Sequence, residues 1–170
     1  MADGGWKIVD ADAMQETLGQ PDFPVEQAAI DLVRGRDLLI SHYGEWPAFE
    51  DVEVIRVTLE RAPTDHAAAS SLRAVFATFD IRRSADDQLR KQAHTEILFT
   101  GVLDVSLNCW QHQNPIQGLS ITRRTVERLG GEYFHVFWGG IGHEVRFDCE
   151  RITVVDLVDL NPFQKSLPFH

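Results

Sequence analysis

The chain has 170 residues, 44% hydrophobic and 25% charged, a globular composition long enough for one domain with its own core and short for two. Its 26 acidic residues against 16 basic ones leave a net charge of −10, which repels a phosphate backbone and disfavours a nucleic-acid binder. The same balance suits a soluble protein and would steer a basic protein partner into contact.

Met1 to Trp6 lacks the basic region and apolar run of a signal peptide. No stretch reaches the roughly 18 apolar residues of a membrane span, so the expected location is cytoplasmic, away from any membrane. After the short apolar run Trp6–Val9, Asp10 or Asp12 is placed to cap a helix that runs to Leu18 and stops at Gly19. Pro21 and Pro24 break the chain. Val25, Ala28, Ala29, Leu32 and Val33 then fall on one face of a second predicted helix, which Gly35 ends.

Beyond Gly35 the period changes to two. Val52 and Val54, followed by Ile55, Val57 and Leu59, predict a strand whose change of face between Val54 and Ile55 marks a bulge or a twist. Pro63 to Ser71 reads as a loop, and Arg73 to Ile81 as a second strand. The charged stretch from Asp80 to Ala93 reads as a solvated hairpin connection or a frayed helical turn. Thr95 to Thr100 predicts a strand broken by Gly101. In the next, Leu103, Val105, Leu107 and Cys109 share an apolar face opposite Asp104, Ser106, Asn108 and Trp110. Further strands are expected around Leu119–Arg123, Tyr133–Trp138, Val145–Cys149 and Ile152–Leu160, with turns at Gly130-Gly131 and Gly139–Gly142. The fold class is α+β, mainly β: an antiparallel sheet or sandwich with one or two N-terminal helices, in a single domain over residues 1–170.

Little of this carries catalytic chemistry. The seven histidines show no tight His-x-x-x-His pair, and the two cysteines no Cys-x-x-Cys, so no metal is assigned. A site assembled across strands from His42, Asp51, His112 and His143 is the one metal-hydrolase alternative. Cys109 and Cys149 lie in apolar strand contexts, where buried free thiols are the default and a disulfide requires neighbouring strands. There is no Gly-x-Ser-x-Gly elbow. Gly139-Gly140-Ile141-Gly142 joins two strands and lacks the helix N-terminus that would hold a phosphate. No cofactor is expected.

Two dense polar and aromatic segments remain. In Tyr43-Gly44-Glu45-Trp46-Pro47-Ala48-Phe49-Glu50-Asp51, Pro47 fixes a turn, Trp46 and Phe49 are suited to plug one end of the sheet, and Asp51 to accept hydrogen bonds from loop amides. In Trp110-Gln111-His112-Gln113-Asn114, the amides and the imidazole can satisfy backbone groups where a strand ends. A small-ligand β module with Trp46, Trp110 and Trp138 lining a cavity is a second alternative.

At these two segments the sequence resembles the immunity protein 50 family of bacterial polymorphic toxin systems. The resemblance covers about His42 to Asp156. Family members carry a Tyr-Gly-x-Trp-Pro-Ser-Phe-His-Asp-like segment and a later aromatic-x-His-Gln-Asn segment, matched here by Tyr43, Gly44, Trp46, Pro47, Phe49 and Asp51 and by Trp110, His112, Gln113 and Asn114. Glu50 replaces the family's histidine and Ala48 its serine, so a metal or catalytic role for that histidine would be lost here. The resemblance implies a non-catalytic immunity protein, monomer or homodimer, that binds and blocks a cognate toxin domain, expected to be basic. The shared motif residues are then structural. The charged loop with Asp86, Asp87 and Arg90 is the expected place for specific partner contacts.

Overall fold

The structure is a computed structural model that describes residues 23–62, 69–80, 90–108, 113–140 and 143–160. Two short helices, α1 (Gln27–Ile30) and α2 (Arg36–Tyr43), precede nine strands: β1 (Val52–Ala62), β2 (Ala69–Asp80), β3 (Arg90–Thr100), β4 (Leu103–Asn108), β5 (Pro115–Ile116), β6 (Gly118–Val126), β7 (Gly131–Gly140), β8 (His143–Cys149) and β9 (Arg151–Asp159). They form a five-stranded sheet in the order β5-β1-β2-β3-β9 and a four-stranded sheet in the order β4-β8-β7-β6. Every strand pair is antiparallel. Among the described residues the fold is mainly β, with α-helix confined to the stretch before β1, as the period-two patterning leads one to expect.

Two corners join the sheets. β3 pairs with β9 in one sheet, and their continuations β4 and β8 pair in the other. The bend falls at Gly101, with φ 67°, and at Glu150, whose N–H donates to the Thr100 carbonyl at 3.0 Å. At the second corner β5 pairs with β1 while β6, two residues on, pairs with β7. Between the sheets Phe76 of β2 meets Trp138 of β7 edge-on at 5.5 Å, and Phe99 of β3 meets Phe147 of β8 at 4.9 Å. All four side chains are buried, and such edge-to-face pairs add about 0.5–1.5 kcal/mol each beyond the area they bury.

The predicted bulge in the first strand lies at Ile55, where pairing with β2 shifts between Val54 and Arg56. Val54 stays buried while Ile55 is turned to solvent. A second bulge shifts the β3–β9 register at Glu96/Ile97.

Several expectations need correction. The helix over Val25–Val33 is reduced to Gln27–Ile30, and its buried residues are Ala29, Ile30 and, beyond it, Val33, while Val25 and Leu32 are exposed. The cause is competition for the backbone. Val25 makes a parallel bridge to Ile121, and Glu26 N–H donates to the Ile121 carbonyl; eight residues later Arg34 bridges Thr153 of β9. The segment thus covers an edge strand of each sheet, which would otherwise offer unpaired N–H and C=O groups.

The second correction is α2 itself, absent from the period-two reading that began at Gly35. The third is β4. Val105 and Leu107 are exposed rather than core-facing, because β4 is an edge strand of the smaller sheet, with Asp104 at φ 51° and a register shift between Leu103 and Ser106. The loop assigned to Pro63–Ser71 is also cut short, since β2 starts at Ala69, and β3 starts at Arg90 rather than Thr95. The elements expected before Phe23, and Cys109, lie outside the described residues.

Candidate functional site

The first motif begins at the end of α2. Leu39 and Tyr43, four residues apart, bury one face of this helix, and Gly44 at φ 93° closes it by donating its N–H to the Ile40 carbonyl at 2.7 Å. Tyr43 is buried, and its hydroxyl donates to Thr78 Oγ1 at 2.8 Å; Thr78 in turn reaches Thr95 Oγ1 at 2.7 Å and the Ala93 carbonyl at 3.1 Å. Burial pushes the Tyr43 phenol up to about 12, against the opposing Thr78 hydrogen bond and with help from the negative charges of Asp159 and Asp80.

From Gly44 the chain turns through Pro47 into β1. Phe49, buried, packs edge-on against Phe76 at 5.4 Å, and half-buried Trp46 lies on Phe49 at 5.8 Å. Phe49 and Asp51 both adopt φ 56°, the left-handed region that L residues enter at a cost of about 1–3 kcal/mol, which the buried Phe49 ring helps to offset. Asp51 is exposed, and its carboxylate accepts no hydrogen bond from the described residues; its part in the turn is its backbone.

The second motif is described from Gln113 onward, so Trp110, Gln111 and His112 lie outside the described residues. Gln113 is exposed and Asn114 buried. The Asn114 carbonyl accepts from Val54 N–H at 3.0 Å, and Pro115 and Ile116 pair with Glu53 and Val52. The fold therefore brings the two motifs side by side at the start of β1, although four strands, β1 to β4, separate them in the chain.

Next to this junction is a cavity of about 470 Å³ between the first motif, α1 and the end of β2. Tyr43, Trp46 and Phe79 supply aromatic wall, and Glu45, Glu50 and Asp80 supply carboxylates. The indole Nε1 of Trp46 is buried and has no hydrogen-bond acceptor among the described residues. Trp138 takes no part in the cavity; it is fully buried in the aromatic core.

A second cluster, missed by sequence reasoning, lies on the outer face of the four-stranded sheet. Asp148 is 1% exposed and accepts from Arg124 Nε at 2.8 Å, from Arg124 Nη2 at 2.5 Å and from His135 Nδ1 at 3.0 Å. Burial pushes its carboxyl up, but the hydrogen bonds and charges of Arg124 and His135 pull it further down, so the net shift is below the usual carboxylate range. His135 and Asp148 are direct cross-strand partners. Their outward positions on alternating strands were visible in the sequence, but their pairing was not.

The histidine–carboxylate alternative does not assemble among the described residues, where no three His, Cys, Asp or Glu side chains come together as metal ligands. His42 Nε2 lies 3.2 Å from the Lys91 carbonyl. His143 is buried, and that burial lowers its pKa; neither ring nitrogen has a partner among the described residues. Cys149 is a free, buried thiol pushed well above its ordinary pKa by burial, which suits packing and not nucleophilic attack. Of the expected partner-contact residues, Asp86 and Asp87 lie outside the described residues and Arg90 is the first residue of β3.

No curated protein and no solved structure matches this chain. The family model described as immunity protein 50 matches residues 35–158, from the glycine that precedes α2 to the penultimate residue of β9. The matched span takes in α2, every strand to within one residue of the end of β9, and both motif segments, and the chain belongs to the immunity protein 50 family.

Proposed function

We propose that this protein binds a cognate bacterial toxin domain and blocks it by occlusion, with no chemistry of its own. The observation that carries the proposal is the family match over nearly the whole described fold. The partner is a basic domain met in the cytoplasm, since a chain of net charge −10 speeds the approach of a positive surface.

The test is to express toxin domains encoded beside this gene in a bacterial host, with and without the chain, and to titrate the purified pair by calorimetry. Growth restored by the chain, with a saturable complex of fixed stoichiometry, supports the proposal. A toxin that stays lethal and shows no heat of binding removes it.

A further inference from the structure

The geometry points to the corner where β5, β7 and β8 meet as an acid-opened latch whose catch is the His143 side chain. His143 is the first residue of β8 and pairs with Gly140, the last of β7. It is 4% exposed, and both ring nitrogens are sealed from solvent with no partner among the described residues. A neutral imidazole has one N–H and one bare nitrogen, so the ring already leaves a donor and an acceptor unmade. An imidazolium would bury two donors and a charge in the same place, which is far less favourable. The closed corner therefore holds His143 neutral.

The packing around the ring leaves little space for water. A Cβ on Gly140 would stand 2.9 Å from His143 Cε1 and 2.0 Å from the Pro115 carbonyl oxygen, so the imidazole and the β5 backbone press on the same glycine. A Cβ on Gly139 would stand 3.3 Å from the His143 carbonyl oxygen. Gln117, which follows β5, donates its N–H to the Gly139 carbonyl at 2.7 Å and so ties β5 to the last residues of β7. In the latch, water reaches the ring when that bond breaks and β5 moves off β7. The second motif, which runs directly into β5, is then uncoupled from the smaller sheet.

Among the described residues no charge compensates the ring. Glu144, its neighbour on β8, is ion-paired with Arg146 at 2.8 Å. Glu53, opposite Pro115 on β1, lies between buried Val52 and Val54 and so turns to the other side of its strand. Glu50 and Asp51, just before β1, are exposed. Neither β5 nor the last three residues of β7 carry a titratable group, and His112 lies outside the described residues. Burial alone lowers the His143 pKa. With the corner open the ring protonates below about pH 6.5, whereas with the corner closed it resists to a lower pH. The closed form is thus favoured in full above about pH 6.5 and gives way progressively as pH falls below it.

The test needs no toxin and does not depend on what the protein binds. Amide hydrogen exchange is followed on the full chain from about pH 7.5 to about pH 5, corrected for the intrinsic exchange rate. Gln117 N–H reports the corner, and Val136 N–H, in the middle of β7 with a paired strand on either side, reports the core. Opening at Gln117 is expected to rise by up to about tenfold per pH unit below about pH 6.5, under conditions in which Val136 stays closed. His143→Phe keeps a flat ring and cannot take a proton, so its opening at Gln117 is expected to be independent of pH. His143→Leu is expected to do the same should the phenyl ring not fit, and the wild-type profile decides by itself if neither variant folds. Opening at Gln117 that ignores pH in the wild type, that keeps its pH dependence in a folded variant, or that never exceeds opening at Val136 overturns the proposal.

Discussion

Asp148 is the most constrained ionisable residue described. Its carboxylate is buried and its pKa is depressed, so the stabilisation it confers is complete above the unfolded-state value of about 3.9 and is lost as pH falls through the lower folded-state value. Asp148→Asn is expected to lower stability by about 1–3 kcal/mol at neutral pH, since Arg124 and His135 would lose their charged acceptor. In urea titrations run from neutral pH to about pH 3, the variant should show a flatter acid limb than the wild type. Tyr43 works at the other extreme. Its folded pKa is raised to about 12, so its contribution is intact below the unfolded value of about 10 and disappears as pH climbs toward the folded one. Tyr43→Phe should therefore flatten the alkaline limb, while losing about 1 kcal/mol for the Thr78 hydrogen bond. An alkaline limb unchanged in the variant would show that the phenol does not set it. Neither role could be read from residue type. A tyrosine in a family motif and an aspartate between Phe147 and Cys149 look alike until pairing reveals what stands opposite them.

At the level of elements, the two glycines that bracket α2 differ in kind. Gly35 has φ 68°, and a Cβ there would sit 2.3 Å from the Val154 carbonyl oxygen, a clash with the strand that Arg34 bridges. Gly44 has φ 93° and open space around the missing Cβ. Gly35→Ala should thus be severely destabilising, by about 3 kcal/mol or more, and Gly44→Ala by only about 1 kcal/mol, as read from urea midpoints. Equal losses would contradict the packing assigned to Arg34 and β9. The strands were legible wherever apolar residues alternate, and the bulge at Ile55 showed as a slip in that alternation. The helix α2 was harder, although Asp37 in its first turn, His42 in its last, the Leu39/Tyr43 spacing and Gly44 after it are all helix signals. Its two adjacent leucines blur the period, and Leu38 is exposed. In β4 alternation misled, because an edge strand can expose both of its faces.

Across the whole molecule, the net charge of −10 has a kinetic consequence if the partner is basic. Raising ionic strength from about 0.05 M to 0.5 M should slow association by about tenfold or more and leave dissociation nearly unchanged, as stopped-flow mixing would show. An association rate indifferent to salt would mean that charge does not guide the encounter. Strand order lay beyond the sequence, because the two corners depend on which strands continue across a bend, and no local pattern encodes a partner some fifty residues away. The candidate site was half legible. The motif residues stood out, but the cavity beside them draws on α1 and β2 as well.

The parallel bridges of the N-terminal segment also bear on timing. Ser120 Oγ donates to the Pro24 carbonyl across 96 positions of chain, and Arg34 waits for Thr153. Strand β3 likewise obtains its outer neighbour only from β9. A ribosome delivering about 5–20 residues per second would hold the first helices and hairpins without their closing partners until almost the last strand had emerged. If the protein binds a toxin as proposed, that binding is a property of chains in which β9 has already docked beside β3.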